Sequence, residues 1–164
     1  MMRYGINLGV TLLLGSVLAC ACSTAAGAAE KARVTGLVDV NFGQIAGTVD
    51  RAVGQSLCVY STSPTGAYAV TASGNGTGGT FALSSGAAEL PYDVLWADSP
   101  NQSSGMVLSS GTPRGGFTSN ASQHFCNSGP SSTATLTIVI RSAELGSARA
   151  GFYSGALQIT ITPE

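Results

Sequence analysis

Apolar and polar residues alternate with period two along much of this chain, the spacing of strands that bury one face and wet the other. Val34, Val38, Val40 and Phe42 share one parity, with Gly36 between them and Asp39 and Asn41 opposite. Leu57 and Val59 alternate with Cys58 and Tyr60, and Tyr68, Val70 and Ala72 with Ala69 and Thr71. Leu90, Tyr92, Val94 and Trp96 form another such set, and Leu136, Ile138 and Ile140 a further one. Near the C-terminal end Leu157, Ile159 and Ile161 alternate with Gln158, Thr160 and Thr162. No segment carries a convincing helical period. Turn-rich stretches of Gly, Ser, Asn and Pro separate the runs, at residues 61–66, 74–79, 99–105 and 109–118. About seven short strands joined by such turns predict an all-β fold, an antiparallel sandwich or barrel. Residues 99–132 are poor in strand signal and read as one long excursion.

The N-terminal part follows a different pattern. Arg3 precedes an apolar run from Leu8 to Ala21, and small residues follow. That is the layout of a signal peptide, and the run is shorter than the roughly 20 apolar residues of a spanning helix. Residues 1–29 are therefore expected to be removed, with cleavage near 28–29, after Ala26-Gly27-Ala28 or Gly27-Ala28-Ala29. The alternative is a lipoprotein: Val17-Leu18-Ala19-Cys20 is a loose lipobox that would lipidate Cys20. Both routes lead out of the cytoplasm. The mature chain, residues 30–164, is one domain's worth of sequence and contains no candidate membrane-spanning segment.

Export changes the reading of the cysteines. Cys20 and Cys22 lie in the export segment, which leaves Cys58 and Cys126 in the mature domain. An even pair in an exported chain reads as a disulfide, and one closing so long a loop stabilises by about 4 kcal/mol. Two buried thiols, or pairing with another chain, are the other readings.

Charge and chemistry narrow the function classes. Charged residues make up 9% of the chain and the formal net charge is −1, so seven Lys and Arg provide no basic stripe for nucleic acid. The one histidine, His124, has no nucleophile elbow near it, and one His with two paired Cys cannot build a zinc site. Asp39, Asp50, Glu89, Asp93 and Asp98 are spread singly; should Asp93 and Asp98 meet across a strand end, they read as a solvated edge rather than a calcium site or a glycosidase pair. Residues 74–79 are glycine-rich but lack the Lys and helix of a phosphate cradle, and read as a hairpin tip. Three Asn-X-Ser/Thr triplets, at Asn75, Asn101 and Asn120, are common by chance in so Ser/Thr-rich a chain. Trp96 reads as core, with carbohydrate stacking as the minor alternative. The residues thus predict no catalytic group, metal or cofactor, and a chain that is not an enzyme.

Several segments, in order, resemble the spore coat protein U family, which includes archaic chaperone–usher pilins. Asn41-Phe42-Gly43, then Asp50, Gly54 and the strand with Cys58, is similar to the family's early "FG…D…G…V-x-C" stretch. Leu90-Pro91-Tyr92-Asp93-Val94-Leu95-Trp96-Ala97-Asp98 resembles its "L-P-Y-x-L-Y-x-D" strand, and Leu136 to Arg141 its "L-T-V-Y-G-R" segment. Ala150-Gly151-Phe152-Tyr153-Ser154-Gly155, running into the alternating strand to Thr162, resembles its closing "A-G-x-Y-x-D" strand. The resemblance implies an immunoglobulin-like sandwich that lacks one strand and receives it in trans. It implies a pilus or appendage subunit with a role in adhesion or biofilm formation, whose partners are a periplasmic chaperone, an outer-membrane usher and neighbouring subunits. It places Leu157, Ile159 and Ile161 beside the acceptor groove, and Val34, Val38 and Val40 either in the first strand or in a donor strand.

Three departures stand out. The family's early Cys before the "FG" is missing from the mature segment unless Cys20 or Cys22 survives, so the bridge here would be Cys58–Cys126, a different one. The Arg that usually follows the glycine-rich loop is absent near Phe81-Ala82-Leu83. Between Glu30 and Phe42 there is room for about one strand. If that strand belongs to the sandwich, the subunit accepts a donor and gives none, which suits a minor or tip position. The competing expectation is a self-folding secreted or lipid-anchored module that binds a surface or a carbohydrate.

Overall fold

The computed structural model describes residues 29–45 and 49–164, so all of the expected signal peptide but Ala29, with Cys20 and Cys22, lies outside the described residues. The chain forms β1 (Ala32–Thr35), β2 (Arg51–Ser61), β3 (Ala67–Gly74), β4 (Ala82–Ser85), β5 (Ala88–Pro91), β6 (Asp93–Ala97), β7 (Met106–Val107), β8 (Arg114–Thr118), β9 (Ala134–Ile140) and β10 (Leu157–Pro163). A one-and-a-half-turn helix, α1 (Ser142–Ser147), follows β9.

These strands make a sandwich of antiparallel sheets. One sheet has the order β1-β2-β9-β6-β7 and the other the order β10-β3-β8, with β4 and β5 as a separate hairpin. The order β1-β2-β9-β6 facing β10-β3 is that of the A-B-E-D and F-C strands of an immunoglobulin-like sandwich. The inward parities meet in one core, where Leu57, Val59, Tyr68, Val70, Val94, Trp96 and Leu136 are buried. The Leu90–Trp96 alternation is kept across two strands: the chain changes partner at Tyr92, from β4 to β9, without changing parity.

Four expectations are corrected. The alternation from Val34 to Phe42 is not one strand. β1 stops at Thr35 because Gly36 takes a positive φ of 87°, which a β-strand cannot continue through, and Val38 beyond it is 67% exposed. The excursion at residues 99–132 is not empty of strands: it supplies β7 to the edge of one sheet and β8 to the edge of the other. Phe117 is the one buried apolar residue of β8, too little for a periodic signal.

β9 has no wet face. Thr135 and Thr137 are both buried, and residues 99–102 cross that side at Thr135, whose Oγ1 donates to the Ser99 carbonyl (2.7 Å) and accepts from the Gln102 N–H. The glycine-rich stretch at 74–79 is not a hairpin tip. It carries the chain from β3 to β4, which lie in different sheets, and the Glu89 carboxylate accepts hydrogen bonds from the Thr77 N–H and hydroxyl (both 2.8 Å). Those bonds hold the Glu89 carboxyl below its usual range.

Candidate functional site: an apolar groove beside the last strand

β10 is an edge strand. It pairs with β3 along its whole length, from Leu157 opposite Gly74 to Pro163 opposite Tyr68, and among the described residues no strand lies on its other side. Its C-terminal end is tied down: Ser63 Oγ donates to the Glu164 carbonyl, and the Glu164 N–H donates to the Ala67 carbonyl at 3.2 Å. β1 packs near β10 at this end and closes the seam between the sheets. Beyond Gly36 the chain leaves β2's ladder and the seam opens.

The opening is a groove of about 1600 Å³. Leu157 and Ile159 of β10 form one wall, Val40, Phe42 and Ile45 the opposite wall, and Leu136, Ile138 and Ile140 of β9 lie on the floor. Leu83, Leu90 and Tyr92 of the β4–β5 corner and Leu145 of α1 close the far end. Leu157, Ile159 and Ile161 all stay half-exposed although their parity points inward. A closed sandwich would bury them. Burial against β9 and Phe81, which stacks on the Tyr92 ring at 5.8 Å, raises the Tyr92 phenol above its ordinary value.

The groove is larger than the roughly 300–1000 Å³ of ordinary small-molecule sites, and aliphatic residues make up the larger part of its lining, with aromatic and polar residues among them. It suits an extended segment with alternate large apolar side chains, which would also satisfy the free N–H and C=O groups on the edge of β10. A second hollow, of about 230 Å³, lies among Asp98, Pro100, Asn120 and Ser132.

A charged clamp holds the groove's floor to its end. Arg141, just after β9, donates through Nε to Asp93 (2.6 Å) and through Nη1 to Asp50 (3.0 Å), and Asp50 also accepts the Ser142 N–H at 2.7 Å. The Ser142 N–H first, and then Arg141, lower the Asp50 carboxyl; Asp93 and Asp50 raise the Arg141 guanidinium. The clamp fixes the chain where β9 turns into α1. Asp93 is thereby committed to Arg141, while Asp98 accepts from Thr118, so these two carboxylates form no joint site.

The fold of this sandwich has a counterpart in a fimbrial complex. A chain of a structure described as a chaperone–tip adhesin complex vital for the activation of CFA/I fimbriae biogenesis matches with a TM-score of 0.53 at 16% identity, over 82% of this chain. The match covers 41% of that neighbour, so the chain spans about two fifths of its length. At this identity the likeness concerns the fold. No protein-family model matches the chain, and no curated protein matches it.

The expected site residues divide. Cys58 and Cys126 form a disulfide, with their Cα atoms 5.8 Å apart, which ties the end of the long excursion to β2. Leu157, Ile159, Val38 and Val40 line the groove. Ile161 lies beyond it, towards β1, and Val34 sits in β1 opposite Val59. Ala32–Thr35 is thus a strand of its own chain's sheet. Trp96 is fully buried and bonded to Tyr68, so it offers no platform for a sugar.

His124 lies on the outer face beside the disulfide, its ring 4.6 Å from Phe125 and 6.1 Å from Tyr60, while Arg33 stacks over Phe125. No group of three potential metal ligands occurs among the described residues, and no described helix is long and apolar enough to cross a membrane. Sequence reasoning missed Gln55, a polar residue with the inward parity of Leu57 and Val59 that lines the groove. Its signal was there: a polar side chain at a core position of an otherwise regular strand.

Proposed function

We propose that this chain is a non-enzymatic structural subunit of a surface fimbria or related appendage, and that its groove receives an extended strand from another polypeptide. A periplasmic chaperone supplies that strand during export, and a neighbouring subunit replaces it when an outer-membrane usher assembles the fibre. One observation carries the reading: β10 keeps a free edge beside a long aliphatic groove at the place where an immunoglobulin-like sandwich has its last strand. The fimbrial neighbour and the disulfide, which suits an oxidising compartment, support it. The pairing of β1 within its own sheet supports an accepting subunit at a minor or terminal position.

The test is periplasmic expression of the full chain with and without a chaperone of the fimbrial type. Soluble yield and unfolding midpoint should both rise with the chaperone, and the two proteins should co-purify. A stable monomer that ignores the chaperone would sink the proposal and leave a self-folding surface-binding module.

A further inference from the structure

Gln55 occupies an unusual place. It lies on β2 with the inward parity of Leu57, in a groove lined mainly by aliphatic side chains. Its side-chain amide meets the backbone of one residue twice: the Val38 N–H donates to Gln55 Oε1 at 2.9 Å, and Gln55 Nε2 donates to the Val38 carbonyl at 3.2 Å. A carboxamide has the donor and acceptor of a peptide group, so this pair stands in for a rung of a β-ladder. No ladder rung exists there, because β1 covers only the Cys58–Ser61 half of β2 on this side.

The segment so held is strand-like in sequence and apolar, yet it forms no strand. Leu37 and Val38 are 43% and 67% exposed, and Val40, Phe42 and Ile45 pack only in part against the core. Burying such side chains is favourable. This segment lines the same groove as Leu136, Ile138 and Ile140, so full closure of its exposed part, Leu37 and Val38 included, over that floor is the competing state.

We infer that Gln55 is a positioning residue that holds residues 37–45 off the groove floor and so keeps the acceptor groove open for an incoming strand. Two hydrogen bonds anchor the wall at Val38, and the polar head at a core position opposes closure, because collapse would strip the amide of these partners. The chain gives up some stability for an open, preorganised groove. This inference rests on the reading of the groove as a strand acceptor.

The experiment compares the full chain with Gln55→Met, similar in length and apolar, and Gln55→Glu. Three readouts are used: amide hydrogen exchange at Val38, fluorescence of an apolar dye in the groove, and anisotropy of a labelled peptide of residues 34–42. That peptide presents Val34, Val38, Val40 and Phe42 on one face when extended. In Gln55→Met, Val38 should exchange and the peptide should dissociate at least about tenfold more readily, the worth of two hydrogen bonds. Dye fluorescence should fall as the groove closes, with an unfolding midpoint equal to or above that of the parent chain.

Gln55→Glu should lie between the parent and the Met variant in Val38 exchange at pH 7, where a carboxylate still accepts from the Val38 N–H but cannot donate to its carbonyl, and its dye binding should not fall. It should recover below about pH 4, where the protonated acid again donates to the Val38 carbonyl. Asp39 and Arg149 are the charged groups lining the same cavity, and the parent chain at both pH values controls for them. Unchanged Val38 exchange in the Met variant, or unchanged dye and peptide binding despite faster exchange, would overturn the inference. If the parent chain binds no peptide and gains nothing from the chaperone, the strand-acceptor reading fails, and exchange and dye binding still decide whether Gln55 holds the groove open.

Discussion

The indole N–H of Trp96 on β6 donates to the hydroxyl of Tyr68 on β3 at 3.1 Å, a hydrogen bond that joins the two sheets through the middle of the core. Both side chains are fully buried, and the Tyr68 ring also contacts Phe117 of β8 at 5.8 Å. Tyr68→Phe leaves the indole N–H without its acceptor and should destabilise the chain by about 1–3 kcal/mol, read by urea denaturation.

The same hydroxyl sets an alkaline limit. Burial pushes the Tyr68 phenol up to about 12, whereas an unfolded tyrosine titrates near 10. Between those values the unfolded chain releases the proton and the folded chain keeps it, so folding loses ground as pH rises. The contribution is whole below about pH 10 and fades as pH climbs towards 12. Denaturation midpoints at pH 8 and pH 11 should fall further apart in the parent chain than in Tyr68→Phe; equal pH dependence would contradict this.

Breaking the disulfide should be costly. Cys58 and Cys126 are 68 residues apart, and closing a loop of that length stabilises by about 4 kcal/mol in the chain-entropy model. The double variant Cys58→Ser/Cys126→Ser should lose stability on that scale. Alkylation without reductant should label neither cysteine of the unfolded parent, as read by intact mass.

Groove residues and core residues should respond differently. Leu57 is buried away from the groove, so Leu57→Ala should cost about 2–5 kcal/mol. Ile159 is half-exposed in the open groove, so Ile159→Ala should cost about 1 kcal/mol or less in the isolated chain. In the presence of a chaperone the order should narrow, because Ile159 is then covered. A large loss from Ile159→Ala in the chain alone would argue for a groove already filled.

Asp50 makes an acid-side prediction. Its carboxyl is lowered by the Ser142 N–H and by Arg141, so its contribution is present above the ordinary carboxylate range and lost as pH falls through the lowered value. Asp50→Asn should flatten the decline of the urea midpoint between pH 5 and pH 3 relative to the parent, and Arg141→Ala should do so in part.

Period-two alternation was enough to determine an all-β fold and its main inward faces, and an even cysteine pair in an exported chain pointed to a bridge, because side-chain parity and compartment are properties of the chain alone; the tertiary structure decided for a sandwich over a barrel and for Cys58–Cys126 over free thiols. The resemblance carried by Leu90–Asp98 and by Leu136–Arg141 pointed to an acceptor groove beside Leu157 and Ile159. Tertiary structure decided the rest. Gly36 ends β1 and sends Val38 outward, a backbone choice that parity cannot register. Residues 99–102 cross the second face of β9 at Thr135, and Phe117 alone carries β8 into the core. The groove depends on which edge of β10 stays unpaired and on Gln55 reaching Val38, both of them relations between segments far apart in the chain. A linear pattern records which residues seek burial; where burial stops is settled by the neighbours that the fold brings, or fails to bring, to each edge.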